Sequence, residues 1–221
     1  VTPAELLVIV AHPDDESLHC GGLLHQAASR GGVTVTVTLT RGGAGRTLGM
    51  CKEEELPAVR EAELRRAAAV LDVACAEVHD LPDGHLADHE AEGAALVLDA
   101  LRRWTPLRVV AFPPNGMNGH PDHRAAHFLT RLALGRYDGS PQVLLMTSTT
   151  PYTEPDRPGF LEPAQVEAMR LPATLRMAVG ASLEAKLRAM GHYETQARSV
   201  AKVLRCYPEK LLTEAFHQVA G

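Results

Sequence analysis

Two short segments concentrate the side chains that can do chemistry. AHPDDE at residues 11–16 offers one imidazole, His12, and three carboxylates, Asp14, Asp15 and Glu16, within five positions. GHPDH at residues 119–123 sets His120 and His123 on either side of Asp122, three apart, so that on the first turn of a helix they share one face. Two imidazoles and a carboxylate drawn from two such loops leave a coordination position open, which is what a catalytic divalent metal requires. Each segment alone has a plainer reading. A histidine at a strand end is commonly a hydrogen-bonded surface residue, and Asp-Asp-Glu before a helix complements the helix dipole. What favours the metal is that both clusters fall at the same end of the sheet that the surrounding elements imply.

Those elements follow from the hydrophobic pattern. Residues 6–11 are a continuous apolar run that suits a strand buried on both faces, residues 17–30 turn helix-like, and VTVTVTLT at residues 33–40 resumes as a strand. The cycle repeats with a helix over 54–71, a strand over 74–79, a helix over 90–104 and a strand over 108–112. After the loop PPNGMNG come a helix over 121–134 and a strand over 142–147. Such alternation predicts an α/β fold of three layers, Rossmann-like, with a mostly parallel sheet and helices on both faces. In an open sheet of this kind functional groups collect at the carboxyl ends of the strands, where both histidine clusters lie. Residues 151–172 hold five prolines and read as a long irregular excursion, either rimming a site or making a subunit contact. A strand over 174–179 and a helix over 183–204 are expected to complete one domain spanning residues 1–221.

Composition narrows the function. The 221 residues carry 22 basic and 27 acidic side chains, a net charge of −5, which gives no electrostatic case for a nucleic-acid or anionic-membrane partner. No apolar run approaches the roughly 20 residues of a membrane span, and the opening residues lack a signal-peptide pattern, so a cytoplasmic location is expected. The four cysteines include no C-x-x-C pair and are expected to be reduced thiols. A small-molecule substrate is the natural partner.

AHPDDESL at residues 11–18 with Gly21-Gly22 behind it, and GHPDHR at 119–124, resemble the LmbE-like (PIG-L) metal-dependent N-deacetylases. Weaker matches are VREAEL at 59–64, LPDG at 81–84 and KLRAMGHYETQ at 186–196. The family includes deacetylases of N-acetylglucosaminyl conjugates, among them those in mycothiol, bacillithiol and glycosylphosphatidylinositol synthesis. The resemblance implies a zinc enzyme, with Fe(II) able to occupy the same ligands, acting on a small N-acetylated sugar and commonly homo-oligomeric. It assigns His12, Asp15 and His123 as metal ligands and Asp14 as general base. It assigns His120, oriented by Asp122, as the oxyanion stabiliser, and it implies that Arg60, Asp83 and His192 lie at the substrate. Spacing alone leaves His123 with His127 open as a ligand pair; His127 is read as a helix-face histidine. The loop TRGGAGRT at residues 40–47 is either an anion cradle or a flexible connection. His19, Cys20 and Asn118 depart from residues frequent in the family.

Two other readings compete. A two-histidine, one-carboxylate set also serves non-haem Fe(II) oxygenases, although those commonly use a β-rich barrel. A non-catalytic metal or sugar-conjugate binding protein would keep the ligands but has no use for Asp14.

Overall fold

In the computed structural model residues 2–154 and 157–220 are described; Val1, Gly221, and Pro155 and Asp156 of the proline-rich excursion lie outside the described residues. Strands and helices alternate as β1 (Leu6–Val10), α1 (Asp15–Ser29), β2 (Thr34–Thr40), α2 (Leu56–Val70), β3 (Cys75–Leu81), α3 (Glu90–Trp104) and β4 (Arg108–Ala111). There follow a short α4 (Gly116–Gly119), α5 (Pro121–Leu134), β5 (Gln142–Thr147), α6 (Pro163–Ala168), β6 (Leu175–Ala178), α7 (Leu183–Gly191), α8 (Ala197–Cys206) and β7 (Thr213–Gln218). They build one seven-stranded sheet in the order β3-β2-β1-β4-β5-β7-β6. β1 to β5 run parallel, and β7 is antiparallel to both of its neighbours.

The strand order reverses at β1. β2 and β3 extend to one side and β4 and β5 to the other, so right-handed crossovers put α1 and α2 on one face and α3 and α5 on the opposite face. α7 packs against α1 and α2, and α3 against α5, which completes the three expected layers. β1 and β2 are buried along their full lengths, because both lie inside the sheet and both faces are covered. The threonine alternation of β2 is therefore not a solvent face; it supplies β-branched side chains to a fully covered strand. A doubly covered parallel sheet is also not the β-rich barrel of the oxygenase reading.

Three features differ from the sequence reading. β7 was not anticipated. The helix expected over residues 183–204 is two helices, because α7 ends at Gly191 and a short 3-10 turn, Glu194–Gln196, intervenes before α8. The proline-rich excursion contains α6, started by Pro163 at its first turn, where a missing N–H costs nothing.

Gly22 lets α1 lie close to the chain that follows β6. A Cβ there would stand 2.5 Å from Val179 Cβ, and Val179 is buried. Gly22→Ala is expected to lower stability by about 1–3 kcal/mol of overpacking, offset only partly by alanine's helix preference of roughly 1 kcal/mol. Urea unfolding reads this directly, and an unchanged midpoint would mean that α1 can shift away.

Candidate metal centre and active site

The strand-order reversal opens a crevice at the carboxyl ends of β1 and β4, and both histidine loops enter it. His12 leaves β1, with its backbone N–H donating to Asp15 Oδ2 at 2.9 Å. Asp15 opens α1 and lies between two imidazoles: His12 Nδ1 is 3.5 Å from Oδ2, and His123 Nε2 is 3.3 Å from Oδ1. All three side chains are buried, and their ligand atoms lie within 4.8 Å of one another. Burial opposes the charge on Asp15, but His123 and His12 on either side hold its carboxyl well below the usual range. His123 is aimed by its other nitrogen, Nδ1, 3.0 Å from the Gly116 carbonyl, and by stacking on Phe112 with ring centroids 4.1 Å apart. Gly116 has φ +62°, and a Cβ there would meet His123 Cβ at 2.8 Å, so the loop before α5 requires glycine at this point.

His12 is held from behind by carboxylates. Its Nε2 is 2.9 Å from Asp83 Oδ1 and 3.2 Å from Asp122 Oδ2, which leaves Nδ1 towards Asp15. Burial works against a proton on His12, but Asp122, Asp15 and Asp83 together raise its pKa well above the ordinary value. Carboxylates behind a ligand histidine fix its tautomer and orientation, and two imidazoles with one carboxylate form a donor set suited to zinc or iron(II). The residues present therefore fit a divalent metal. A second cluster, His12, His120 and Asp122, shares His12, but Asp122 is already committed: its Oδ2 accepts from Gly84 N–H at 2.6 Å and its Oδ1 from Leu86 N–H at 3.2 Å.

Asp14 stands beside these groups and outside both clusters. Its φ of 120° is in the left-handed half of the map, a strained position for a residue with a side chain. The surroundings over-determine it. Arg60, 3% exposed, donates through Nη2 to the Pro13 carbonyl and, at 3.4 Å, to Asp14 Oδ1, while Nη1 donates to Gly42 O at 2.9 Å. Glu16 accepts from Asp14 N–H at 3.3 Å and is itself fixed by Ser17 Oγ at 2.6 Å and by the Tyr193 hydroxyl. Burial, opposed by Arg60 and reinforced by Asp15, raises the Asp14 pKa to about 8.

His120 caps the N-terminus of α5, its Nδ1 accepting the Asp122 backbone N–H at 3.1 Å. The sequence reading paired His120 with the Asp122 carboxylate; in the structure that carboxylate holds His12 and the Gly84–Leu86 turn instead. An accepting Nδ1 leaves Nε2 as the N–H, a neutral donor. Burial first, then His123 and His12, push the His120 pKa down to about 2. Phe160, from the proline-rich excursion, packs edge-on against the ring at 4.7 Å.

His12, Asp14, Asp15, His120 and His123 line a cavity of ≈ 290 Å³, which also takes in His19, Arg60 and Asp83. Asp83 Oδ2 accepts from Ala44 N–H at 2.8 Å, so the glycine-rich loop folds over Asp83, and Arg41 pairs with Glu61 and Asp80. His192 caps α7 and is not among the residues lining the cavity. The neighbouring Tyr193 is the buried residue that reaches Glu16. His127 Nδ1 lies 2.8 Å from the Phe112 carbonyl and ties α5 to the end of β4, outside both clusters. Tyr152 and Arg157 line the cavity, so the excursion rims the site. Sequence reasoning missed Glu214, Phe160 and the Glu63–Thr195 pair, in which Thr195 N–H and Oγ1 donate to Glu63 at 2.8 and 2.6 Å. Glu63 and Thr195 lie within the weaker matches VREAEL and KLRAMGHYETQ, but nothing local pairs them, and no local signal marks Glu214.

The fold and donor set define an α/β enzyme with a two-histidine, one-carboxylate centre at the switch point of its sheet. The chain belongs to the PIG-L family: the family model described as GlcNAc-PI de-N-acetylase matches residues 7–134. It is 31% identical, over 89% of its length and 78% of the relative's, to 1D-myo-inositol 2-acetamido-2-deoxy-alpha-D-glucopyranoside deacetylase 1 of Saccharopolyspora erythraea. N,N'-diacetylchitobiose deacetylase of Pyrococcus horikoshii superposes with a TM-score of 0.71 at 20% identity, covering 98% of this chain and 84% of that one. GalB, the 4-carboxy-2-hydroxymuconate hydratase of Pseudomonas putida, superposes at 0.73 with 18% identity, covering 100% and 97%. These two structures establish the fold alone, and between them it carries two reaction classes. Family membership and the deacetylase relatives make this chain a hydrolase of the deacetylase type. No helix among the described residues is long and apolar enough to cross a membrane.

Proposed function

We propose that residues 1–221 form a single metal-dependent N-deacetylase domain that removes the acetyl group from the amine of a small N-acetylglucosamine-type conjugate. The observation that carries this is the buried, strained Asp14 beside the His12–Asp15–His123 donor set in one cavity. Simple metal binding has no use for such a carboxylate. His12, Asp15 and His123 would hold zinc, or iron(II) under reducing conditions. When bound, the metal polarises the acetyl carbonyl, lowers the pKa of water at the site towards about 7, and favours the ionised form of Asp14.

The chain's own groups then have distinct tasks. Asp14 takes the proton from the attacking water and delivers it to the amine as the amide C–N bond breaks, giving acetate and the free amine. His120, with Nδ1 occupied by the Asp122 N–H, points a neutral Nε2–H at the oxygen that gains charge. Arg60 holds Asp14 and the Pro13 carbonyl in place, and Asp83 and Asp122 fix the plane of His12. His120→Ala is expected to lower kcat by about 10²–10³ with metal content unchanged, the usual loss for one oxyanion donor. The four unpaired cysteines suit a reducing compartment, and the proposal includes a cytoplasmic location. A homo-oligomeric state rests on the family resemblance.

The test is acetate release from N-acetylglucosamine and several of its glycosides by metal-loaded and chelator-stripped protein. Acetate from the loaded protein alone is expected. A protein that holds one metal per chain and releases none from any of them would overturn the reading.

A further inference from the structure

The cavity does not end at the metal centre. Its other side is built by Ser148, Thr150, Tyr152, Glu154 and Arg157, by Arg170, and by α8 and the turn after it, and among the described residues it has the opposite electrostatic character. Where the centre presents Asp14, Asp15 and Asp83, this side presents the four cations Arg157, Arg170, Lys202 and Lys210 against one carboxylate, Glu154, among the described residues. Glu154 is already neutralised, accepting from Lys202 Nζ at 2.6 Å and from the Tyr207 hydroxyl at 3.0 Å, with Arg157 at 3.6 Å. Arg170 is spoken for by Glu167 at 2.7 Å. Glu209, next to Lys210 in sequence, accepts the Thr150 hydroxyl at 2.5 Å.

Lys210 is different. Its carbonyl accepts from Lys186 Nζ at 2.7 Å, but its own ammonium makes no hydrogen bond or ion pair among the described residues; the Tyr207 ring lies 4.8 Å away, and Glu209 and Glu154 act on it only at longer range. Burial, and then the neighbouring Lys186, push it down to about 8, so it is still mostly charged at pH 7. A cation with no directly bonded carboxylate in a partly desolvated wall attracts an anion more strongly than one facing open water. His19, which lines the same cavity, lies within electrostatic reach of both Lys210 and the Asp15–His123 pair. Both ends thus open into one cavity, which a single ligand can occupy.

We infer that this wall is a subsite for an anionic group, carboxylate or phosphate, on the aglycone of the substrate, with Lys210 as its principal contact and Lys202 adding charge. The inference rests on the deacetylase reading and narrows it: the acetamido group enters at the carboxylate-lined end, and the acid fixes the other end of the molecule.

The probes are the carboxymethyl glycoside of N-acetylglucosamine, its uncharged carboxamidomethyl isostere, and N-acetylglucosamine 1-phosphate. Acetate release gives kcat/KM with metal-loaded wild type, Lys210→Met and Lys210→Arg; calorimetry on the Asp14→Asn protein, with and without Lys210→Met, gives binding without turnover. The acid is expected to exceed the amide by about tenfold or more, the scale of one charge-assisted hydrogen bond, with the preference shrinking in high salt. Lys210→Met should bring the ratio close to one, and Lys210→Arg should keep most of it. The better of the two acids identifies carboxylate or phosphate as the group. Equal constants for acid and amide in the wild type, or a preference that survives Lys210→Met, would overturn the subsite while leaving the deacetylase reading intact. If no glycoside releases acetate, the deacetylase reading fails, and the calorimetric ratio still decides the subsite.

Discussion

Asp14→Asn is expected to leave metal content at the wild-type level and to lower kcat for acetate release by about 10²–10⁴, the range for a positioned general acid–base group. The expectation separates two roles that adjacent carboxylates often confuse. Asp15 lies between the imidazoles of His12 and His123, whereas Asp14 turns to Arg60 and belongs to neither candidate cluster. Asparagine is close in shape and is among the residues that best tolerate φ > 0, so the strained turn should survive the change. What disappears is the ability to accept a proton. Burial, reinforced by Asp15 and opposed by Arg60, raises the Asp14 pKa to about 8, the direction that favours proton acceptance. Metal analysis beside single-turnover kinetics checks the prediction. Loss of metal together with activity would make Asp14 a ligand, and retained activity would remove it from the mechanism.

Lys186→Met is expected to cost about 3–5 kcal/mol of stability, the scale for removing one partner of a buried ion pair. Lys186 Nζ lies 2.6 Å from Glu214 Oε1, and both side chains are fully enclosed. Removing the ammonium strands a buried carboxylate. Replacing both partners by apolar residues should not restore stability, as it can for an isolated ion pair, because Glu214 also accepts from Gly22 N–H and Leu23 N–H, each at 2.8 Å. An aliphatic residue at position 214 would leave both donors facing it unpaired. Urea unfolding of the single and double variants measures this, and a single variant within 1 kcal/mol of wild type would mean that the pair is energetically neutral.

The parallel half of the fold was legible because each strand from β1 to β5 is a compact apolar or β-branched run set between helical stretches, which implies a parallel sheet covered on both faces, although not the order of its strands. β7 was not, because TEAFHQ has a charged residue at a fully buried position, Glu214, and only Lys186 and α1 make that tolerable. The break between α7 and α8 was hidden for a similar reason: helical periodicity runs through residues 192–196, and the turn there is drawn out by Thr195 bonding Glu63 and Tyr193 bonding Glu16. At the site, the two histidine loops were visible as local composition. The task of Asp83 was not, since its contact with His12 depends on where β3 delivers it relative to β1. Arg60 shows the same limit: it reads as a substrate contact, while three of its hydrogen bonds are spent on Gly42, Pro13 and Asp14.

The insertion of β7 between β5 and β6 also orders events in time. β6 is synthesised first, yet its ladder partner in the sheet is β7. β6 therefore has no place in the sheet until residues 213–218 are available to pair with it. The same arrival brings Glu214 to α1, the helix that carries Asp15. A chain truncated before β7 would hold both histidine loops but lack the carboxylate that clamps α1 at Gly22 and Leu23.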